Sequence, residues 1–140
     1  MSAWDMGPFD NDSAEDLVLE LADAPDIPAQ LDASMQTILQ HPGYLDCPLV
    51  ERAIAAACLI GAKLGINGPL PEGVDELLNA RPFVVTPELR VTAQRTFERA
   101  LAPHNNEWCT VWEEDEQLEE AIAAIGPYRQ PLAATQRMAA

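Results

Sequence analysis

The stretch that decides the fold of this chain is Ala53-Ile54-Ala55-Ala56-Ala57-Cys58-Leu59-Ile60-Gly61-Ala62. It carries no charge and is apolar on every side of a helix, which is typical of a buried helix with neighbours on several sides. The start signal Asp46-Cys47-Pro48 precedes it and Gly65 follows it. The run is too short to span a bilayer, which takes about 20 apolar residues. We therefore predict a central helix over residues 47–64.

Further helices are predicted on both sides of this central helix. Ala14, Leu17, Val18 and Leu21 follow the i, i+3, i+4, i+7 spacing of an amphipathic helix. Similar patterns with start or stop signals occur up to Ile125. Together they predict an all-α, compact single-domain bundle of about six helices over residues 1–127. Gly126-Pro127 is predicted to end the last helix, and residues 128–140 to form a flexible C-terminal tail.

A second informative stretch lies near the N-terminus and reads Trp4-Asp5-Met6-Gly7-Pro8-Phe9-Asp10-Asn11-Asp12. Its glycine can take a positive φ and its proline fixes φ, so the pair predicts a rigid turn. The last three residues each offer a side-chain oxygen to the free amide groups of a helix that starts there. We expect both aromatic rings to pack on the core and to set the angle at which this helix begins.

This stretch resembles the opening of an uncharacterised bacterial family, domain of unknown function 4259, whose pattern is close to G-x-W-G-x-G-P-F-D-N-D-x-A-x-D. The chain departs from the pattern at Ser2 and Asp5, where the family usually has glycine. The later sequence Trp112-Glu113-Glu114 resembles a Trp-acidic element of the same family. The resemblance implies a family and no activity. The matching positions are Trp4, Gly7, Pro8, Phe9, Asp10, Asn11, Asp12, Ala14 and Asp16.

The net charge of the chain indicates which kinds of molecule it can bind. The 140 residues include 23 acidic and 8 basic side chains, a formal net charge of -15. Such a chain disfavours direct contact with nucleic acid or an anionic membrane and favours a basic protein partner. The acidic N-terminus lacks the features of a signal peptide, and the 3 cysteines include no C-x-x-C pair. We expect a cytoplasmic protein with reduced thiols, no metal and no cofactor.

The acidic run Glu113-Glu114-Asp115-Glu116 lies beside Trp108 and Trp112 and is the candidate binding site. One interpretation is a solvated helix start next to two core tryptophans, since acidic residues suit the first turn of a helix. The other is an aromatic and carboxylate surface for an arginine-rich partner, through ion pairs and cation-π contacts. The sequence leaves both interpretations open.

Two weaker candidates have structural explanations. Asp10 and Asp12, followed by acidic residues, offer the hard oxygen ligands of a calcium or magnesium site, but the spacing of a calcium loop is missing and capping is favoured. Cys109 lies near His104, yet no third residue orients such a pair and buried thiols are common. No catalytic residue is assigned.

Two functional hypotheses follow. The first is an acidic protein-binding module, of immunity or inhibitor type, that acts on a basic partner, with mimicry of nucleic acid as a special case. The second is a small carboxylate- or metal-dependent enzyme that gathers Asp10, Asp12 and the segment around Glu113.

Overall fold

The computed structural model describes the backbone of residues 7–66 and 68–139 and the side chains of residues 7–66 and 68–133. Over these ranges the fold is an all-α bundle without a strand, which confirms the predicted class. The helices are α1 (Asp12–Asp23), α2 (Ile27–Leu39), α3 (Cys47–Leu64), α4 (Glu72–Ala80), α5 (Pro87–Ala100), α6 (Glu107–Glu114) and α7 (Leu118–Ala139).

Helix α3 is the centre of the bundle, as its sequence predicts. It contacts α1, α2, α5, α6 and α7. Every residue from Ala53 to Ala62 is buried, because helices cover this segment on several sides. Gly61 lies against the backbone of α7, where an added Cβ atom would stand 2.0 Å from the carbonyl oxygen of Tyr128. The small side chains of α3 therefore allow close approach of its neighbours.

The last helix differs from the prediction. α7 continues through Gly126, Pro127 and Pro131, so the predicted end before Gly126-Pro127 is wrong. Tyr128 and Leu132, which the sequence assigned to a tail, are 7% and 2% exposed and belong to the core. A proline inside a helix costs about 3 kcal/mol, and burial of a large apolar side chain contributes about 1.5–3 kcal/mol. Burial of these two side chains thus offsets much of the cost of the two prolines.

Arginine side chains tie distant elements to α1. The guanidinium of Arg81 donates hydrogen bonds to the carbonyl oxygens of Leu21, Ala22 and Ala24 and so caps the C-terminal end of α1. Arg52 of α3 donates to both carboxylate oxygens of Glu20. Of the helices described here, none is long and apolar enough to cross a membrane.

Candidate functional site

The N-terminal turn is built by hydrogen bonds within the signature sequence. The amide of Asp10 donates to the carbonyl oxygen of Gly7 at 3.0 Å, and the amide of Gly7 donates to Oδ2 of Asp10 at 3.1 Å. Asn11 is the N-cap of α1, since its Oδ1 accepts from the amide of Ala14 at 2.8 Å. Asp12 is the first residue of α1. Of the three capping candidates, Asn11 therefore caps the helix and Asp10 closes the turn.

The aromatic part of the predicted turn is described in part. Phe9 is buried, as expected, and its ring meets the ring of Tyr128 edge-on with centroids 5.6 Å apart. This contact joins the N-terminal turn to α7. Trp4 lies outside the described residues, so its predicted packing stays a prediction.

A cavity of about 320 Å³ lies between the N-terminal turn, α3, α6 and α7. It brings together the two sequence elements that carry the family resemblance, although about 100 residues separate them in the chain. Its lining combines indole rings, aliphatic side chains and carboxylates. The lining residues are Gly7, Pro8, Asp10, Asn11, Glu51, Ile54, Trp108, Val111, Trp112, Asp115 and Ile125.

The two predicted tryptophans form one wall of this cavity. Trp108 is 5% exposed and Trp112 is partly exposed. Their ring centroids are 6.4 Å apart at an interplanar angle of 64°. Trp108 is therefore a core anchor, whereas Trp112 presents part of its ring near the cavity.

Asn106 holds α6 in place. Its side chain is 1% exposed, and its Oδ1 accepts from the amide of Cys109 at 3.1 Å as the N-cap of α6. Its Nδ2 donates to the carbonyl oxygens of Ala100 and Ala102 at 2.8 and 3.0 Å. A single amide group thus joins the start of α6 to the end of α5.

The acidic run lies at the C-terminal end of α6. Glu113 and Glu114 are its last two residues, Asp115 is the C-cap, and Glu116 follows with φ 57°. All four side chains are exposed. The side chains are solvated, as one interpretation expected, but the predicted helix start is wrong because the run lies at the end of α6. A helix C-terminus disfavours negative charge. Within the run, Asp115 lines the cavity and the other three carboxylates lie outside its lining.

Glu116 completes a C-terminal capping motif in a conformation that favours glycine. The amide of Gln117 donates to the carbonyl oxygen of Trp112 at 2.9 Å, and the amide of Glu116 donates to that of Glu113 at 3.0 Å. This is the hydrogen-bond pattern of a Schellman motif, whose left-handed position is usually occupied by glycine. A glutamate there carries a backbone cost.

Glu51 is a site residue that the sequence did not identify. Burial raises the pKa of its carboxyl group, the hydrogen bonds from Ser13 and Cys47 oppose that shift, and the negative charge of Asp12 adds to it. The Ser13 Oγ atom donates to Oε1 of Glu51 at 3.1 Å. No cation pairs with Glu51 among the described residues, where Arg52 and Glu20 form the one ion pair. The signal in the sequence was a lone glutamate in an apolar helix.

The cysteines have the properties of packed thiols. Burial raises the pKa of Cys109 to about 11, with Glu113 raising it further and Arg99 lowering it. Its Sγ donates to the carbonyl oxygen of Ala100 at 3.5 Å, whereas His104 is exposed. Burial also raises the pKa of Cys47 to about 12, and the charge of Glu51 adds to this shift. Such thiols are protonated at neutral pH and are poor nucleophiles.

The described residues contain no group of three or more histidine, cysteine, aspartate or glutamate side chains that could hold a metal ion. Asp10 and Asp12 have separate local roles, in the turn and in the first turn of α1. The cavity receives carboxylates from Asp10, Glu51 and Asp115, which makes it an acidic pocket with an aromatic wall.

Fold and site together define a small acidic helical bundle with an aromatic and carboxylate pocket at the N-terminal turn. A family model described as Domain of unknown function (DUF4259) matches residues 2–124, and the chain belongs to this family. The match includes both the N-terminal signature and the Trp-acidic element. Comparison with the curated proteins and with the solved structures found no match.

Proposed function

We propose that this protein is a non-enzymatic module that binds a basic protein partner through the mouth of the cavity and the exposed carboxylates at the end of α6. The observation that carries the proposal is the position of the acidic run. Glu113 and Glu114 lie where the helix dipole opposes negative charge, at a cost of about 0.3–1 kcal/mol each. Glu116 adds the cost of a left-handed backbone. Residues that break local rules in this way are typical of functional sites.

The surface around the run suits contact with another protein. Val111 is 40% exposed and Trp112 is partly exposed, so an aromatic and aliphatic patch lies next to the carboxylates. A partly apolar centre with a charged rim is typical of protein interfaces. Tryptophan is also among the residues that contribute most to such interfaces.

The charge of the whole protein supports a basic partner. Three of its arginines, Arg52, Arg81 and Arg99, already bind a carboxylate or carbonyl oxygens within the fold. With a formal net charge of -15, the surface attracts a positively charged protein and speeds its association. An immunity or inhibitor role, in which the module covers a basic surface of its partner, is the form of this function that we favour.

The test compares two variants with the same change in charge. One carries Glu113→Gln, Glu114→Gln and Glu116→Gln at the end of α6. The control carries Glu72→Gln, Asp75→Asn and Glu76→Gln on α4, whose three side chains are also exposed and lie outside the cavity lining. Circular dichroism and thermal denaturation establish that both variants are folded.

Tagged wild-type protein and both variants are used to capture proteins from a lysate of the host, at about 0.01 M and about 1 M salt, where screening lengths are about 30 Å and 3 Å. We expect wild type and control to capture the same basic protein at low salt. The α6 variant should bind it roughly 3- to 140-fold more weakly in calorimetry with the purified partner, because each of the three exposed ion pairs contributes about 0.2–1 kcal/mol. Equal weakening by the α4 control, or no salt-sensitive partner, would contradict the proposal.

A further inference from the structure

The cavity next to the acidic run has the lining of a site for one cationic side chain. Trp108, Trp112 and Ile54 provide its apolar and aromatic walls, and Asp10 and Asp115 bring carboxylates to it. No lysine or arginine is among its described lining residues. At about 320 Å³ it lies at the small end of ligand pockets, so it suits a single side chain better than a helix or a nucleotide.

No cation among the described residues balances the negative charge inside the cavity. Glu51 is held at the wall by the Ser13 hydroxyl at 3.1 Å and by the Cys47 thiol, and both groups are uncharged donors. The one charge that shifts its pKa among the described residues is also negative, since Asp12 on α1 raises it. Since the one ion pair of the described residues lies elsewhere, between Arg52 and Glu20, an entering cation would find a carboxylate without a counter-ion.

The shape of the site favours a guanidinium group over an ammonium group. The two indole rings meet at 64° with centroids 6.4 Å apart, and Trp112 is partly exposed and lines the cavity. A planar cation stacks on an indole ring more favourably than a compact ammonium does. A guanidinium can also bind a carboxylate through two parallel hydrogen bonds, and it gives up its hydration more readily than an ammonium.

We infer that the cavity receives one arginine side chain of the basic partner, stacked on the ring of Trp112 and paired with the carboxylate of Glu51. The inference rests on the proposed function, which it makes more specific. The carboxylates of Glu113, Glu114 and Glu116 then attract the partner from outside the pocket, whereas the pocket selects the residue that is inserted.

The test uses small probes on the isolated protein. N-acetyl-arginine amide carries a single guanidinium charge, N-acetyl-lysine amide carries an ammonium, and N-acetyl-citrulline amide is the uncharged analogue of the first. Each is titrated at constant ionic strength while the indole N–H signals are followed by NMR, with the Trp112 signal assigned through Trp112→Phe. We expect saturable shifts of the Trp112 signal by the arginine probe with Kd of about 1–10 mM. The lysine probe should bind more weakly, and the citrulline probe at least about tenfold more weakly.

Two variants distinguish binding in the pocket from a general effect of the protein's charge. Glu51→Gln keeps the size of the side chain and should lower the affinity for the arginine probe at least about fivefold. Glu76→Gln on α4, an exposed site outside the cavity lining, makes the same change in charge and should leave the affinity unchanged. Equal binding of the arginine and citrulline probes, or equal effects of the two variants, would overturn the inference.

The outcomes also distinguish this inference from the proposed function. If the partner is lost with the α6 variant while the arginine probe does not shift the Trp112 signal, the module binds a basic protein without an inserted arginine. If the arginine probe binds and depends on Glu51 but no basic partner is captured, the pocket stands and the protein-binding proposal falls.

Discussion

The substitution Gly61→Ala tests the packing of α3 against α7. The added Cβ atom would stand 2.0 Å from the carbonyl oxygen of Tyr128 and 2.9 Å from its carbonyl carbon. Both obstacles are backbone atoms, so no rotation of a side chain removes the clash. Since Cβ contacts under 3.0 Å essentially do not occur, α7 must move away from α3 by about 1 Å.

The size of the effect follows from two opposing terms. Overpacking of a core costs about 1–3 kcal/mol, and a backbone obstacle places this site near the upper value. Alanine gains about 1 kcal/mol over glycine in helix propensity. We expect a net destabilisation of about 2 kcal/mol, which lowers Tm by roughly 6–10 °C in a domain of this size.

The matched control is Gly73→Ala in α4. An added Cβ atom at this exposed position meets nothing within 4 Å. The same chemical change should therefore stabilise the protein, by about 0.5–1 kcal/mol, because alanine restricts the unfolded chain and favours the helix. The two substitutions are expected to have opposite signs.

The assay is urea denaturation followed by circular dichroism, with the free energy of unfolding of each variant compared with wild type. A second measurement is the hydrogen-exchange protection of the α7 amides from Leu118 to Leu132, which should fall in Gly61→Ala and not in Gly73→Ala. If Gly61→Ala is as stable as wild type, or if α7 keeps its protection, α3 and α7 do not pack as closely as the structure shows.

Further predictions concern two helix caps, the left-handed Glu116 and the partly buried carboxyl group of Glu51. Asn106→Ala should cost about 2–4 kcal/mol in urea denaturation, because it removes an N-cap and leaves two carbonyl oxygens without their donor. Asn11→Ala removes only an N-cap acceptor and should cost about 1 kcal/mol. If Asn106→Ala costs no more than this, the carbonyl oxygens of Ala100 and Ala102 find other donors. Glu116→Gly should raise stability by about 1 kcal/mol while weakening partner binding, and a loss of stability would contradict the assigned backbone strain. Because the pKa of Glu51 is raised on folding, its carboxyl group binds more protons in the folded than in the unfolded state between 4.5 and that raised value. The contribution of Glu51 to stability therefore falls as pH rises through this window. Glu51→Gln should therefore be more stable than wild type at neutral pH, with the difference vanishing below pH 4.5, and a constant difference in urea midpoints would refute this account.

Much of the fold was predictable because it depends on rules that act within a few residues. The apolar run from Ala53 to Ala62, with Pro48 before it and Gly65 after it, marked α3 correctly, and hydrophobic periodicity marked the other helices. The N-terminal turn was also predictable, since Pro8 restricts the backbone after Gly7 and Asn11 caps the helix that follows.

The same rules failed where burial outweighed them. Gly126, Pro127 and Pro131 are helix breakers by local criteria, yet α7 continues through them because Tyr128 and Leu132 are buried in the core. The contact of Gly61 with the backbone of Tyr128 was not predicted, because Tyr128 was assigned to a tail.

Some features of the candidate site were likewise predictable from the sequence, and others were not. The sequence by itself determined the acidic charge, the two helical tryptophans and the family signature, all of which are properties of composition or of short motifs. The tertiary structure decided that the signature turn and Trp112 share one cavity, that Glu51 lies in its wall, and that the acidic run ends a helix instead of starting one. Local spacing cannot determine such relations, because they depend on how helices from distant parts of the chain pack around α3.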